Sequence, residues 1–153
     1  MNSIVPPSTK RVELHTDKKS NEIIRNKTLE NIEGLMGSYP GSGKISERIR
    51  ELNKEWDTER VLEANAAAFT LLSIVLGFSF SYYWFVLAGF ISFFLLVHAV
   101  QGWCPPLPII RKLGVRTPTE IYNEKTALKY LQRDFSSIRS ESAAEILRSI
   151  EKE

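Results

Sequence analysis

The chain of 153 residues has a single cysteine, which excludes an intrachain disulfide framework and a cysteine-rich zinc site. It also lacks a surplus of either charge. Lys and Arg number 20 against 18 for Asp and Glu, so there is no clustered basic excess to favour nucleic acid as a partner. The stretch Met1–Asn21 has no apolar core, so a cleavable signal pattern is not expected there. The most telling absence lies in the middle. From Val61 to Trp103 there is no Lys or Arg, and the one acid is Glu63. A mean hydropathy of -0.16 therefore averages over a sharp partition between an apolar block and two charged flanks.

The block is too long for one membrane crossing and suits two, since a span needs about 20 apolar residues at roughly 1.5 Å rise each. Val61 to Phe80 supplies the first and Tyr82 to Trp103 the second. Ser81-Tyr82-Tyr83, followed by Trp84, forms a short polar break with belt-forming aromatics, and Trp56 and Trp103 mark the other interface. The expected fold is all-α: a transmembrane helical hairpin flanked by amphipathic helices. Lys44, Arg48, Arg50, Lys54 and Arg60 precede it, and Arg111, Lys112 and Arg116 follow it. The uncharged turn and basic flanks predict both termini in the cytoplasm and a location in the inner membrane. Small residues four apart, at Ala64 and Ala68, Ser73 and Gly77, Ala88 and Ser92, would let helices approach closely in lipid. That contact can lie inside the hairpin, between protomers, or both.

Four regions result. Residues 1–43 read as a polar tail, disordered to about Ser20, with a weak amphipathic helix over 21–36 carrying Ile24, Thr28, Ile32, Leu35 and Met36. Gly37 to Gly43 is a turn-rich breaker. Residues 44–60 place Ile45, Ile49, Leu52 and Trp56 on one helical face, which suits a helix lying on the membrane or, alternatively, a docking face for another helix. Residues 61–103 are the hairpin. In 104–153, Cys104-Pro105-Pro106-Leu107-Pro108 ends the second span and predicts an extended exit, with a short interfacial turn at Ile109–Gly114. Thr117-Pro118-Thr119-Glu120 then starts a helix with a capping box, whose apolar face is Ile121, Leu128, Leu131 and Phe135. A further short helix is expected from Ser140 onward, with Ala143, Ile146, Leu147 and Ile150 apolar.

Chemistry-bearing groups are few. Gly41-Ser42-Gly43-Lys44 looks like part of a phosphate loop, but Ser38 stands where a glycine is needed and Ile45 where Ser or Thr is needed. If facing positions of the hairpin sum to about 163, Asn65 is level with His98 and Glu63 with Gln101. Glu63, Asn65, His98 and Gln101 thus form a candidate polar cluster at the charged end of the spans, either as structural glue or as a handling site. Cys104 closes this end and is a candidate thiol site, or a small packing residue. Thr70, Ser73 and Ser92 are the mid-span polar groups, too few to line a conduit. No nucleophile–base–acid set has a recognisable spacing, and no metal or cofactor is expected.

The residues Ile45-Ser46-Glu47-Arg48-Ile49, Glu55-Trp56-Asp57-Thr58-Glu59-Arg60, Glu63-Ala64-Asn65-Ala66 and Gln101-Gly102-Trp103-Cys104-Pro105-Pro106-Leu107-Pro108 carry a family resemblance, continued by Arg111–Thr117. Over about residues 44–135 the chain resembles bacterial inner-membrane proteins with a two-span domain of unknown function, the domain that forms the membrane part of YgaP-type rhodaneses. The resemblance implies a small oligomeric hairpin. It does not bring sulfur-transfer activity, because the rhodanese domain's active-site cysteine loop is absent. The expected role is a non-enzymatic oligomeric, accessory or scaffold hairpin, with the lipid bilayer and itself or another membrane protein as partners. The alternative is a sulfur-handling accessory using Cys104.

Overall fold

The computed structural model describes residues 6–36 and 43–132. The breaker at 37–42, Phe135 and the helix expected from Ser140 lie outside them. Seven helices follow in order: α1 (Arg11–Leu14), α2 (Lys18–Met36), α3 (Gly43–Leu52), α4 (Thr58–Ser79), α5 (Tyr83–Gln101), α6 (Leu107–Lys112) and α7 (Pro118–Gln132). No strand occurs among the described residues.

Helices α4 and α5 are the apolar pair, 22 and 19 residues long, and both are long and apolar enough to cross a membrane. Asp57 caps α4 by accepting from the Arg60 amide at 2.8 Å. The chain reverses over Phe80–Tyr82, where the polar break was expected, and the two helices pack as a hairpin. Ser73 and Ala88 are buried. A Cβ added at Gly77 would stand 2.8 Å from the Phe85 ring, so glycine there permits the ring to lie against the α4 backbone. Of the other small residues, Ala64, Ala68 and Ser92 are exposed. Phe78 meets Phe85 edge to face at 5.1 Å beside the turn. The outer surfaces carry Leu71, Leu72, Val75, Val86, Phe93 and Leu96, all exposed. In a bilayer these side chains meet lipid tails, which solvate them as well as a protein core would.

The flanks fold onto one end of this hairpin as a helical cap with two apolar clusters. One joins Val12, Leu62, Cys104, Leu107 and Ile110. The other joins Ile45, Ile49 and Leu52 of α3 to Leu128 of α7, with Ile32, Leu35, Ile121 and Leu131 packed around it. Each such side chain, when fully buried, contributes roughly 1.5–3 kcal/mol. The amphipathic face of α3 is thus covered by another helix of the same chain and does not lie on the membrane. Trp56, which shares that face in the sequence, falls past the end of α3 and is exposed, with the Arg60 guanidinium over its ring at 5.4 Å.

Two further expectations are corrected. The described part of residues 1–20 is folded: α1 buries Val12, and Asp17 opens α2 by accepting from the Ser20 amide and hydroxyl at 2.8 and 2.7 Å. Those two bonds hold the Asp17 carboxyl below its usual range. The proline-rich exit is also not extended. Gly102, at φ 84°, ends α5 before the prolines, and Pro106 and Pro108 sit at the cap and first turn of α6. Proline suits that place because first-turn amides have no helical partner.

Candidate functional site

The spans and the cap meet around His98, in the last turn of α5. His98 is 3% exposed. Its Nε2 lies 3.2 Å from Glu59 Oε2, and Glu59 Oε1 accepts from Arg11 Nη2 at 2.9 Å. Arg11 Nη1 donates to the Ala99 carbonyl at 2.7 Å, so α1 binds both spans at once. This fit depends on Gly102. A Cβ there would come within 2.6 Å of the Arg11 carbonyl group, and no rotamer could relieve a clash with backbone.

Of the expected cluster, Asn65 lines the same cavity as His98, while Glu63 and Gln101 do not. Glu63, Asn65 and Gln101 are all exposed, and Asn65 donates to the Val61 carbonyl of its own helix at 2.7 Å. The carboxylate that reaches His98 is Glu59, which lies three residues before the buried Leu62 and so near its face. Glu63, one turn further along α4 and only about 40° round the helix from Glu59, is exposed. Glu59 and Arg11 were not singled out in the sequence because each sits in an ordinary charged stretch. The one local signal was a histidine deep in an apolar run, which calls for a polar partner somewhere.

Cys104 is buried, packed with Val12, Leu62, Leu107 and Ile110. The left-handed turn at Gly102 carries it back toward α5, so that Cys104 and His98 line one cavity despite their six-residue separation. This cavity has a volume of about 410 Å³, within the range of small-molecule sites. Its walls include Leu62, Phe69, Phe90 and Phe94, and its polar lining residues are Asn65, His98 and Cys104. His98 Nδ1 is buried, and besides Glu59 the ring's one hydrogen-bonding neighbour is the Cys104 thiol.

Behind this end lies a network of buried ion pairs. Arg111 is almost wholly buried and grips Glu120 with both terminal nitrogens, at 2.7 Å each, while also donating to Asn21 and the Val115 carbonyl. Glu120 accepts from the Thr117 amide at 2.7 Å and returns its own amide to the Thr117 hydroxyl, the capping box expected from the sequence. Burial alone would raise the Glu120 carboxyl, but the Arg111 and Thr117 bonds outweigh it and hold the group below its usual value. Arg116 bridges Glu55 and the fully buried Glu124, which also accepts from Arg48 Nε at 2.9 Å. The Arg116 carbonyl accepts from the amide and hydroxyl of Thr58, tying the network to the start of α4. These groups hold elements together; their partners are other side chains and backbone of the cap. Among the described residues, no group of His, Cys, Asp and Glu could hold a metal ion.

Residues 57–118 match the family model for the inner membrane protein YgaP-like transmembrane domain. The match takes in α4, α5, α6 and the Gly-Trp-Cys-Pro-Pro exit on which the resemblance rests; α2 and α3 lie outside it. No curated protein and no solved structure matches the chain.

Proposed function

Taking a YgaP-like two-span membrane domain as the premise, we propose that the protein is a non-enzymatic subunit of a membrane assembly, its folded cap held on the cytoplasmic side by the positive-inside bias. The observation that carries this reading is the distribution of small residues. Ser73, Gly77 and Ala88 serve the contact inside the hairpin, while Ala64 and Ala68 remain uncovered on α4. Two small residues four apart on an open face suit close approach by a further helix in lipid. The buried charges support the same reading, being engaged in fixing the cap to the spans. The test is oxidative cross-linking of Ala68→Cys in a Cys104→Ser background, in native membranes. A cross-linked dimer, absent when the cysteine is moved to exposed Ile74, about 120° round α4 from Ala68, is expected. A chain that stays monomeric at every position on α4 overturns self-association.

A second reading is favoured by the imidazole beside the one thiol. Cys104 would attack the outer sulfur of a persulfide donor, forming its own persulfide as the donor thiolate leaves. Mass spectrometry of the protein extracted gently from its own membranes decides this. An added sulfur atom, lost on reduction and absent in Cys104→Ser, supports sulfur handling; an unmodified thiol in cells actively transferring sulfur removes it.

A further inference from the structure

The cavity under His98 combines two features that rarely occur together. It is walled by aromatic and aliphatic side chains of both spans, and it holds a buried polar atom, His98 Nδ1, in a ring whose one hydrogen-bonding neighbour besides Glu59 is the Cys104 thiol. A thiol bonds only weakly, so this buried nitrogen is poorly satisfied, and native structures pair such groups with stronger partners from protein, water or ligand. Water is a poor solution here. An ordered buried water needs two to four polar partners, and apart from the ring this lining offers only a weakly bonding thiol and an amide at the exposed Asn65.

The position of the cavity defines a better occupant. His98 lies three residues from the end of α5, about 4.5 Å in from its end, and Phe90 lies about 12 Å deeper along the axis. The polar end is therefore near headgroup depth and the apolar walls run toward the bilayer centre, about 15 Å in. The head chemistry follows from the ring. The Glu59 carboxylate has no hydrogen to give, so Nε2 carries the proton in their contact. Nδ1 is then an acceptor in the neutral ring and a donor in the cation. A hydroxyl is both donor and acceptor, and so fits either state; a carboxylate fits only the cation, and a hydrocarbon neither.

We propose that this cavity binds a long-chain alcohol or hydroxyl-headed lipid from the surrounding leaflet, its hydroxyl on His98 Nδ1 beside Cys104 and its chain along Phe69, Phe90 and Phe94. The site is separate from the Ala64/Ala68 face and does not depend on the association proposed above.

The test uses the full chain in phosphatidylethanolamine–phosphatidylglycerol vesicles and a sixteen-carbon alcohol bearing a mid-chain diazirine and a terminal alkyne. Photolabel is expected on peptides containing Phe69 and Phe90, reduced about tenfold by excess hexadecanol and little by equal hexadecane. Ala66→Phe places a ring in the cavity while leaving both members of the Glu59–His98 pair in the sequence, and is expected to reduce labelling to a similar extent. His98→Phe is expected to abolish the preference for alcohol over alkane. Label spread evenly over outward residues such as Leu71 and Val86 overturns the proposal. So does equal competition by hexadecane, undiminished labelling of Ala66→Phe, or a preference for alcohol that survives loss of the imidazole.

Discussion

At the residue scale, the cap depends on guanidinium–carboxylate pairs that are out of water. Removing one partner of such a pair leaves the other charged and buried, which costs about 3–5 kcal/mol. Arg116→Ala leaves the buried Glu124 with Arg48 as its remaining cation and unpairs the part-exposed Glu55, so a loss toward the lower end of that range is expected in urea unfolding of the protein in detergent. Arg50→Ala removes an exposed pair at 3.6 Å and is expected to change stability by less than about 0.5 kcal/mol. The pH dependence follows from Glu120. Its folded-state carboxyl is held below its ordinary value, so its stabilisation is present above about pH 4.5 and lost as pH falls through the folded value. Unfolding midpoints are expected to hold between pH 7 and 5 and to fall below about pH 4, with a shallower acid loss in Glu120→Gln. Part of this was legible beforehand, since Thr117 and Glu120 have the spacing of a capping box. The partners of Arg111 and Arg116 were not, because those arginines read as flanking charge and their acids lie as far away as Glu55. The pairing leaves the proposed orientation unchanged, since the positive-inside bias counts basic residues near the spans and gives acids little weight.

At the element scale, periodicity identified what periodicity can show. Helices α2, α3 and α7 bury Ile24, then Ile45, Ile49 and Leu52, then Leu128 of the faces their spacing predicts, though Met36 is exposed, and α3 takes the alternative of docking on a helix of its own chain. What was missed has a common physical reason. Helix α1 is four residues long, too short to be stable alone, and exists because Val12 and Arg11 find partners on the spans. The proline exit was read by the rule for helix interiors, while the rule for first turns, used correctly at Pro118, applied to it as well. Gly102 links both errors, since its left-handed turn ends α5 and admits α1. Gly102→Ala combines strain at φ 84° with a backbone clash, and a loss of about 1–3 kcal/mol is expected. Limited proteolysis should then cut near residues 10–20 at least tenfold faster, while α4 and α5 stay protected.

At the scale of the whole molecule, two apolar helices carry a polar cap on one side. Membranes washed with alkaline carbonate are expected to retain the protein. In a Cys104→Ser background, Ser81→Cys in the interhelical turn should react with an impermeant maleimide from outside the inner membrane, and Lys27→Cys only after permeabilisation. The reverse pattern would invert the orientation. The general plan was visible in the charge partition alone, because lipid imposes so few solutions on an uncharged run of that length. The contents of the cap–span junction were not visible, because a contact such as Arg11 with Glu59 leaves no mark in local sequence.

That contact also imposes an order of events on biogenesis. The dock for α1 is built from Glu59, Ala99, Gly102 and Cys104, drawn from both membrane helices and the exit beyond them. Residues 11–14 are made before either span, yet their dock is complete only about ninety residues later, some 5–20 s at ordinary synthesis rates. Throughout that interval Val12 and Arg11 have no site to occupy. This segment, made before the spans, thus folds only after both of them and the exit beyond are in place.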